Sequence, residues 1–161
     1  MSPMGKGSTP AVETLVDRGV EFTVHPYQVQ AAAGSYGEAV AAAVGIEPAR
    51  LFKTLVALVD GAPVIAVVPV SGRLSPKKLA RAAAGKHAAL ADPADAQRLT
   101  GYVVGGISPI GPRRQIPTYV DLTVADHDTV YVSAGRRGLQ VELEPDDLLA
   151  VTGAVLADLV A

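Results

Sequence analysis

The chain contains no cysteine. That one absence removes disulfide scaffolds, zinc–thiolate sites, iron–sulfur clusters and every enzyme with a cysteine nucleophile. Tryptophan is also missing and aromatic residues make up only 4% of the sequence, so a core must be built from Ala, Val, Leu and Ile. Long apolar runs are lacking too. The stretch from Val64 to Val70 is interrupted by Pro69 and is far too short to span a bilayer. The first eight residues hold neither an apolar segment nor the cleavage pattern of an export signal. These absences predict a soluble cytoplasmic protein without a membrane partner. What remains is 161 residues, 49% hydrophobic and 19% charged, a composition that excludes intrinsic disorder and supports one folded domain.

Net charge is only −2, but the charge is segregated. Residues 1–60 carry six acids and four bases, and residues 121–161 carry eight acids and two bases. The middle, residues 61–120, holds eight bases against Asp92 and Asp95. A basic segment of this kind either covers an ordinary solvated face or presents a positive surface on an otherwise acidic protein.

Residues 1–8 read as a mobile tail and residues 9–161 as one domain. Thr9-Pro10 opens a helix, with Thr9 as cap and Pro10 at the first helical position, and Gly19 ends it. Glu21–Tyr27 alternates as a short strand that either lies at an edge or ends at Pro26. Ser35-Tyr36-Gly37-Glu38 is a capping box before an Ala/Val helix that stops at Gly45. Leu51–Val59 and Pro63–Val70 are β-rich runs joined by Asp60-Gly61, the signature of a hairpin. Ser75-Pro76 starts a helix predicted to end at Gly85. Residues 99–118 hold too many Gly and Pro for one regular element. Strands are predicted around Thr118–Leu122, Thr129–Val132 and Gly138–Leu143, then a helix from Glu144-Pro145. The pattern fits an α/β (α+β-like) domain with a mixed, barrel-like central sheet flanked by helices.

Three features can carry chemistry. A period of two places Lys53 on the strand face of Leu51, Leu55, Ala57 and Val59. Its ammonium either snorkels at the strand end or points into a pocket, where it would bind a phosphate, a carboxylate or a carbonyl gathering charge. The loop Gly105-Gly106-Ile107-Ser108-Pro109 is either a tight structural turn or a set of backbone amides open to an oxyanion. It has the spacing of neither a P-loop nor a dinucleotide fingerprint. Ser133-Ala134-Gly135-Arg136-Arg137-Gly138 is a polar turn whose arginines either face solvent or meet phosphates. His25, His87 and His127 are too scattered for a zinc triad, and no GxSxG elbow is present.

Taken together, Thr9-Pro10-Ala11, His25-Pro26-Tyr27, Phe52-Lys53-Thr54-Leu55, Ala91-Asp92-Pro93, Thr100 to Pro109 and Tyr131 to Leu139 resemble the YbaK family. Its members are Cys-tRNA(Pro) deacylases within the superfamily of prolyl-tRNA synthetase editing domains. The resemblance runs from about Thr9 to the C-terminus. It implies a trans-editing hydrolase that cleaves the ester of mischarged Cys-tRNA(Pro), with no cofactor and no metal. It further implies Lys53, Gly105 and Gly106 as catalytic and Tyr27, Ile107, Ser108, Pro109, Ser133 and Gln140 as substrate-binding positions. The implied partners are the acceptor end of tRNA, bound through Lys77, Lys78, Arg81, Arg113, Arg114, Arg136 and Arg137, and prolyl-tRNA synthetase as a docking partner; DNA is not implied. One position departs: Gln140 stands where family members carry Asp, so a carboxylate there has no counterpart. Deacylation of another tRNA such as Ala-tRNA(Pro), or binding without turnover, are the competing expectations.

Overall fold

The structure is a computed structural model describing residues 8–29 and 35–161. The expected tail, apart from Ser8, lies outside the described residues. Helix α1 (Pro10–Asp17) is capped by Thr9, whose Oγ1 accepts the Val12 N–H at 3.1 Å and donates to the Ala134 carbonyl. The cap therefore also ties the helix to a strand far along the chain. Strand β1 (Thr23–Pro26) is an edge strand that ends at Pro26. Helix α2 (Tyr36–Val44) begins at Ser35, whose Oγ accepts the Glu38 N–H, and ends at Gly45 with φ +85°.

Strands β2 (Phe52–Val59) and β3 (Ala62–Pro69) form the expected hairpin, in register from Phe52–Pro69 to Val59–Ala62. Its turn needs positive φ at two successive residues, and Asp60 and Gly61 supply +48° and +85°. Helix α3 (Pro76–Ala82) starts at Ser75-Pro76 as expected, with Ser75 as its cap, but ends three residues before Gly85. Gly85 serves packing instead: a Cβ there would lie 2.4 Å from a Val59 methyl.

Between α3 and residue 118 two elements escaped the sequence pattern, β4 (Ala88–Leu90) and α4 (Pro93–Thr100). The first is three residues long. The second is only partly apolar, burying Ala96, Leu99 and Thr100. Leu99 and Thr100 thus close a helix, and the irregular stretch begins after them. Strands β5 (Thr118–Asp121), β6 (Val130–Arg136) and β7 (Leu139–Leu143), then helix α5 (Pro145–Thr152), follow as expected, and β8 (Val155–Ala157) is an addition.

The strands form not one barrel-like sheet but two open sheets, ordered β1-β7-β6 and β4-β2-β3-β5-β8. The second is mixed, because β3, β5 and β8 run parallel. Among the described residues a single bridge, between Leu51 and Tyr131, links the sheets. Phe52, Val56, Ile65, Val67 and Val120 of the larger sheet pack with Val130, Val132, Val141 and Leu143 of the smaller one. The opposite face, Ala57, Val59, Val64, Ala66 and Val68, is covered by Leu79 and Leu159.

The buried Asp121 carboxylate holds the C-terminal segment, accepting the Thr123 N–H and hydroxyl and the Leu159 N–H at 2.9 Å. Asp121→Ala strands these donors and is expected to lower stability by about 2–3 kcal/mol, measured by denaturant unfolding.

Candidate functional site

Strand β2 has an incomplete neighbour. Strand β4 pairs only with Ala57–Val59, and the Ala91 N–H to Val56 carbonyl bond, 2.9 Å, closes that pairing. Among the described residues no strand covers the same edge from Leu55 back to Phe52, until Leu51 meets Tyr131. A cavity of about 360 Å³ lies along this bare edge. Lys53 and Thr54 point to opposite faces of the strand, yet both line it. The glycine loop forms a second wall through Val104, Gly105 and Ile107, and α2 contributes Tyr36, Gly37 and Val40. Ser133 and Gln140, directly opposite each other in the β6–β7 register, form a third.

The ammonium and the glycine bend therefore face one cavity. Lys53 is half-buried and has no hydrogen-bond or ion-pair partner among the described residues. Burial, and then the like charge of Arg73, push its pKa below that of an ordinary lysine. An unpaired cation in an apolar setting is costly to the fold and available to a ligand. Two further orphans line the same cavity. Buried polar side-chain atoms without a partner among the described residues are Ser8 Oγ, Thr54 Oγ1 and Gln140 Oε1, and the last two belong to cavity residues. Gln140 is only 5% exposed. A buried carbonyl oxygen of this kind awaits a donor.

The loop is held from both sides. The Val104 N–H donates to Gln97 Oε1 at 2.9 Å, and Arg137 Nε–H donates to the Val104 carbonyl at 2.8 Å. Gly105 has φ +90°, and a Cβ on it would sit 2.5 Å from Arg137 Nε. A Cβ on Gly106 would lie 2.6 Å from the Arg136 Cα. The glycines thus let the loop lie directly on the β6–β7 turn.

Of the positions expected to be catalytic or substrate-binding, Lys53, Gly105, Ile107, Ser133 and Gln140 line the cavity. Gly106, Ser108, Pro109 and Tyr27 stand outside its wall. Ser108 is fully buried and its Oγ accepts the Ile110 N–H at 3.2 Å, which shapes the loop's exit. Tyr27 is buried behind Tyr36, their hydroxyls 3.5 Å apart. Ser133 Oγ accepts the Gly135 N–H at 3.2 Å.

The expected phosphate-binding cations are spread more widely. Lys77, Arg81, Arg113, Arg114, Arg136 and Arg137 are exposed. Lys78 is engaged by Asp158 at 3.1 Å and by the Val160 carbonyl at 2.7 Å. The cation that acts on Lys53 is Arg73, which sequence reasoning had not selected. It had not selected Thr54 or Tyr36 either. A hydroxyl between Phe52 and Val56, on the apolar side of β2, was the available signal for Thr54.

The histidines lie apart: His25 Nε2 is 2.8 Å from Glu142 Oε1, His127 packs edge-on to Phe52, and His87 is exposed. No helix among the described residues is long and apolar enough to cross a membrane.

Comparison with known proteins shows the family and the fold. A candidate Cys-tRNA(Pro)/Cys-tRNA(Cys) deacylase of Enterococcus faecalis, EbsC, is 42% identical over 123 residues, covering 76% of this chain and 75% of its own length. A proline–tRNA ligase of Moorella thermoacetica is 34% identical over 93 residues, 58% of this chain and 16% of the ligase. A crystal structure described as a candidate trans-editing enzyme for prolyl-tRNA synthetase superposes with TM-score 0.80 at 27% identity, covering 100% of this chain and 99% of that one. The aminoacyl-tRNA editing domain matches residues 31–151, and with that extent of match the chain belongs to the aminoacyl-tRNA editing domain family.

Proposed function

We propose that this protein hydrolyses the ester joining a wrong amino acid, cysteine first, to tRNA(Pro), acting in trans after the synthetase has released its product. The observation that carries this reading is the shared cavity: an unpaired, half-buried ammonium on one wall and a glycine loop on another. Cysteine and proline are close in size, and binding alone discriminates poorly at that scale.

Among the described residues no histidine or carboxylate lines the cavity to activate the Thr54, Ser133 or Tyr36 hydroxyl, and the substrate supplies its own nucleophile. The cysteinyl sulfur attacks its own ester carbonyl. A C–S bond forms, the C–O bond to the ribose breaks, the ribose oxygen takes up a proton, and water later opens the thiolactone. Intramolecular attack gains greatly from fixed geometry. A thiol with a pKa near ~8.5 is only slightly ionised at neutral pH, so the Lys53 charge favours its reactive form or steadies the carbonyl oxygen. The Val104 and Gly106 amides are taken up by Gln97 Oε1 and by the Val103 carbonyl, each at 2.9 Å, so Gly106 acts only through its close packing. The Gly105 and Ile107 amides are the ones offered to that oxygen. Gln140 Oε1 accepts from the α-ammonium, a role for which a neutral amide suffices. Ile107 and Ser133 shape the acyl pocket, while Tyr27, Ser108 and Pro109 support its walls. Lys77, Arg81, Arg113, Arg114 and Arg136 meet acceptor-stem phosphates, with Lys78 at the border of that surface. Docking on prolyl-tRNA synthetase would add the selectivity that phosphate contacts lack. The site of action is the cytoplasm.

Deacylation of labelled Cys-, Ala- and Ser-tRNA(Pro) tests the reading. Cleavage of the cysteinyl ester alone is expected, since neither alanine nor serine carries a thiol. Equal cleavage of the alanyl ester would replace the thiol route with attack by water, and tight binding without turnover would make the chain a carrier. The cysteinyl reaction is also expected to slow steeply with salt, as counterion release dictates; a flat salt response would count against tRNA as substrate.

A further inference from the structure

We infer that Tyr36, with Leu90 and Val104, forms the platform on which the terminal nucleobase of the acylated strand stacks. The inference rests on the deacylase reading, which places a nucleotide beside the ester.

Aromatic side chains are scarce here, five Tyr and two Phe. Six of the seven are buried or half-buried, and Tyr36 alone is exposed, at 48%. A fold with so few rings has every reason to bury them. Tyr36 instead opens α2 at the cavity rim. Leu90, 62% exposed, and Val104, 38% exposed, line the same cavity. Single exposed apolar residues need no explanation, but three gathered at one mouth do.

The ring is also held. Its hydroxyl stands 3.5 Å from that of the buried Tyr27. Partial desolvation of the hydroxyl, then the Tyr27 hydroxyl beside it, raise its pKa to about 12. The positive charge of Arg137 also acts on Tyr36, and Arg137 is anchored to the Val104 carbonyl. A fixed π face bordered by a cation is the surface that unstacked bases of single-stranded RNA ends choose. The substrate dictates where such a surface must lie. The terminal base and the esterified hydroxyl belong to one ribose, so with the acyl group in the cavity the base falls at its rim.

Tyr36→Ala is expected to raise KM for Cys-tRNA(Pro) about 5- to 100-fold, the range of one lost base–aromatic stack, with kcat nearly unchanged. Tyr36→Phe recovers KM, because the ring rather than the hydroxyl does the stacking; Tyr36→Leu does not. Since the chain has no tryptophan, Tyr36→Trp installs a lone fluorophore. Its emission is expected to be quenched by the trinucleotide CCA and not by ribose 5-phosphate. An unchanged KM in Tyr36→Ala, or no quenching by the trinucleotide, would overturn the platform. Quenching in a protein that cleaves no aminoacyl-tRNA would overturn the deacylase reading and leave the platform standing.

Discussion

Lys53→Ala is expected to reduce Cys-tRNA(Pro) deacylation by about 100-fold or more, the usual result of removing one preorganised charge from the locus of a transition state. Folding is not expected to suffer. The ammonium has no partner among the described residues, and its pKa is lowered from the ordinary 10.5 by burial and by Arg73. The sign follows from linkage. A base whose folded pKa is depressed costs stability while it is protonated, below that folded pKa, and the cost disappears as pH rises past the unfolded value. Replacing it with alanine removes the cost, so denaturant unfolding at neutral pH should show equal or greater stability. The same depression predicts that activity falls with rising pH earlier than an ordinary lysine would allow. Arg73→Ala removes the repulsive neighbour and is expected to move that alkaline limb upward. Wild-type rates in Lys53→Ala would remove Lys53 from the mechanism, and an unmoved limb in Arg73→Ala would remove the electrostatic link.

The second large effect is expected at Gly106→Ala. The added methyl would meet the Arg136 Cα at 2.6 Å and the Arg137 nitrogen at 2.7 Å. Backbone cannot swing aside as a side chain can, so the loop must lift from the turn. The expected results are deacylation near background and a stability loss of about 1–3 kcal/mol, typical of forced overpacking. Gly61→Ala separates these two outcomes. Gly61 has φ +85° in the β2–β3 turn, and a methyl added there would meet nothing within 4 Å. That substitution should cost about 1–2 kcal/mol of backbone strain and leave deacylation intact. Loss of activity in both variants to the same degree would tie the effect to stability rather than to the loop.

The two sites carry different kinds of information. Gly106 gave a signal in the sequence because glycine clusters break regular structure, but its partner lies far along the chain in a turn that also looked like a surface hairpin. Lys53 was legible because a charge within an alternating apolar run violates the strand pattern. That pattern left both snorkelling and a pocket open, and the bare edge of β2 decides for the pocket. The edge exists because β4 is only three residues long, an element too short to announce itself. Thr54 lay within the Lys53-Thr54-Leu55 run, yet only the curvature of the cavity around the strand edge brings it beside Lys53. The capping residues Thr9 and Ser35 were readable for the opposite reason: their hydrogen bonds are made three residues on and need nothing distant.

By itself, then, the sequence determined whatever depends on neighbours a few residues apart: the caps, the Asp60-Gly61 hairpin, the mixed α/β character, the glycine loop and the anomalous lysine. Tertiary structure alone decided that the strands split into two sheets rather than one barrel-like sheet. It also brought Arg73 to Lys53, joined Arg137 to the Val104 carbonyl, and left Tyr36 exposed at the rim. Each of these depends on segments remote in sequence, fixed by which apolar faces can be buried together, and no local spacing encodes that choice.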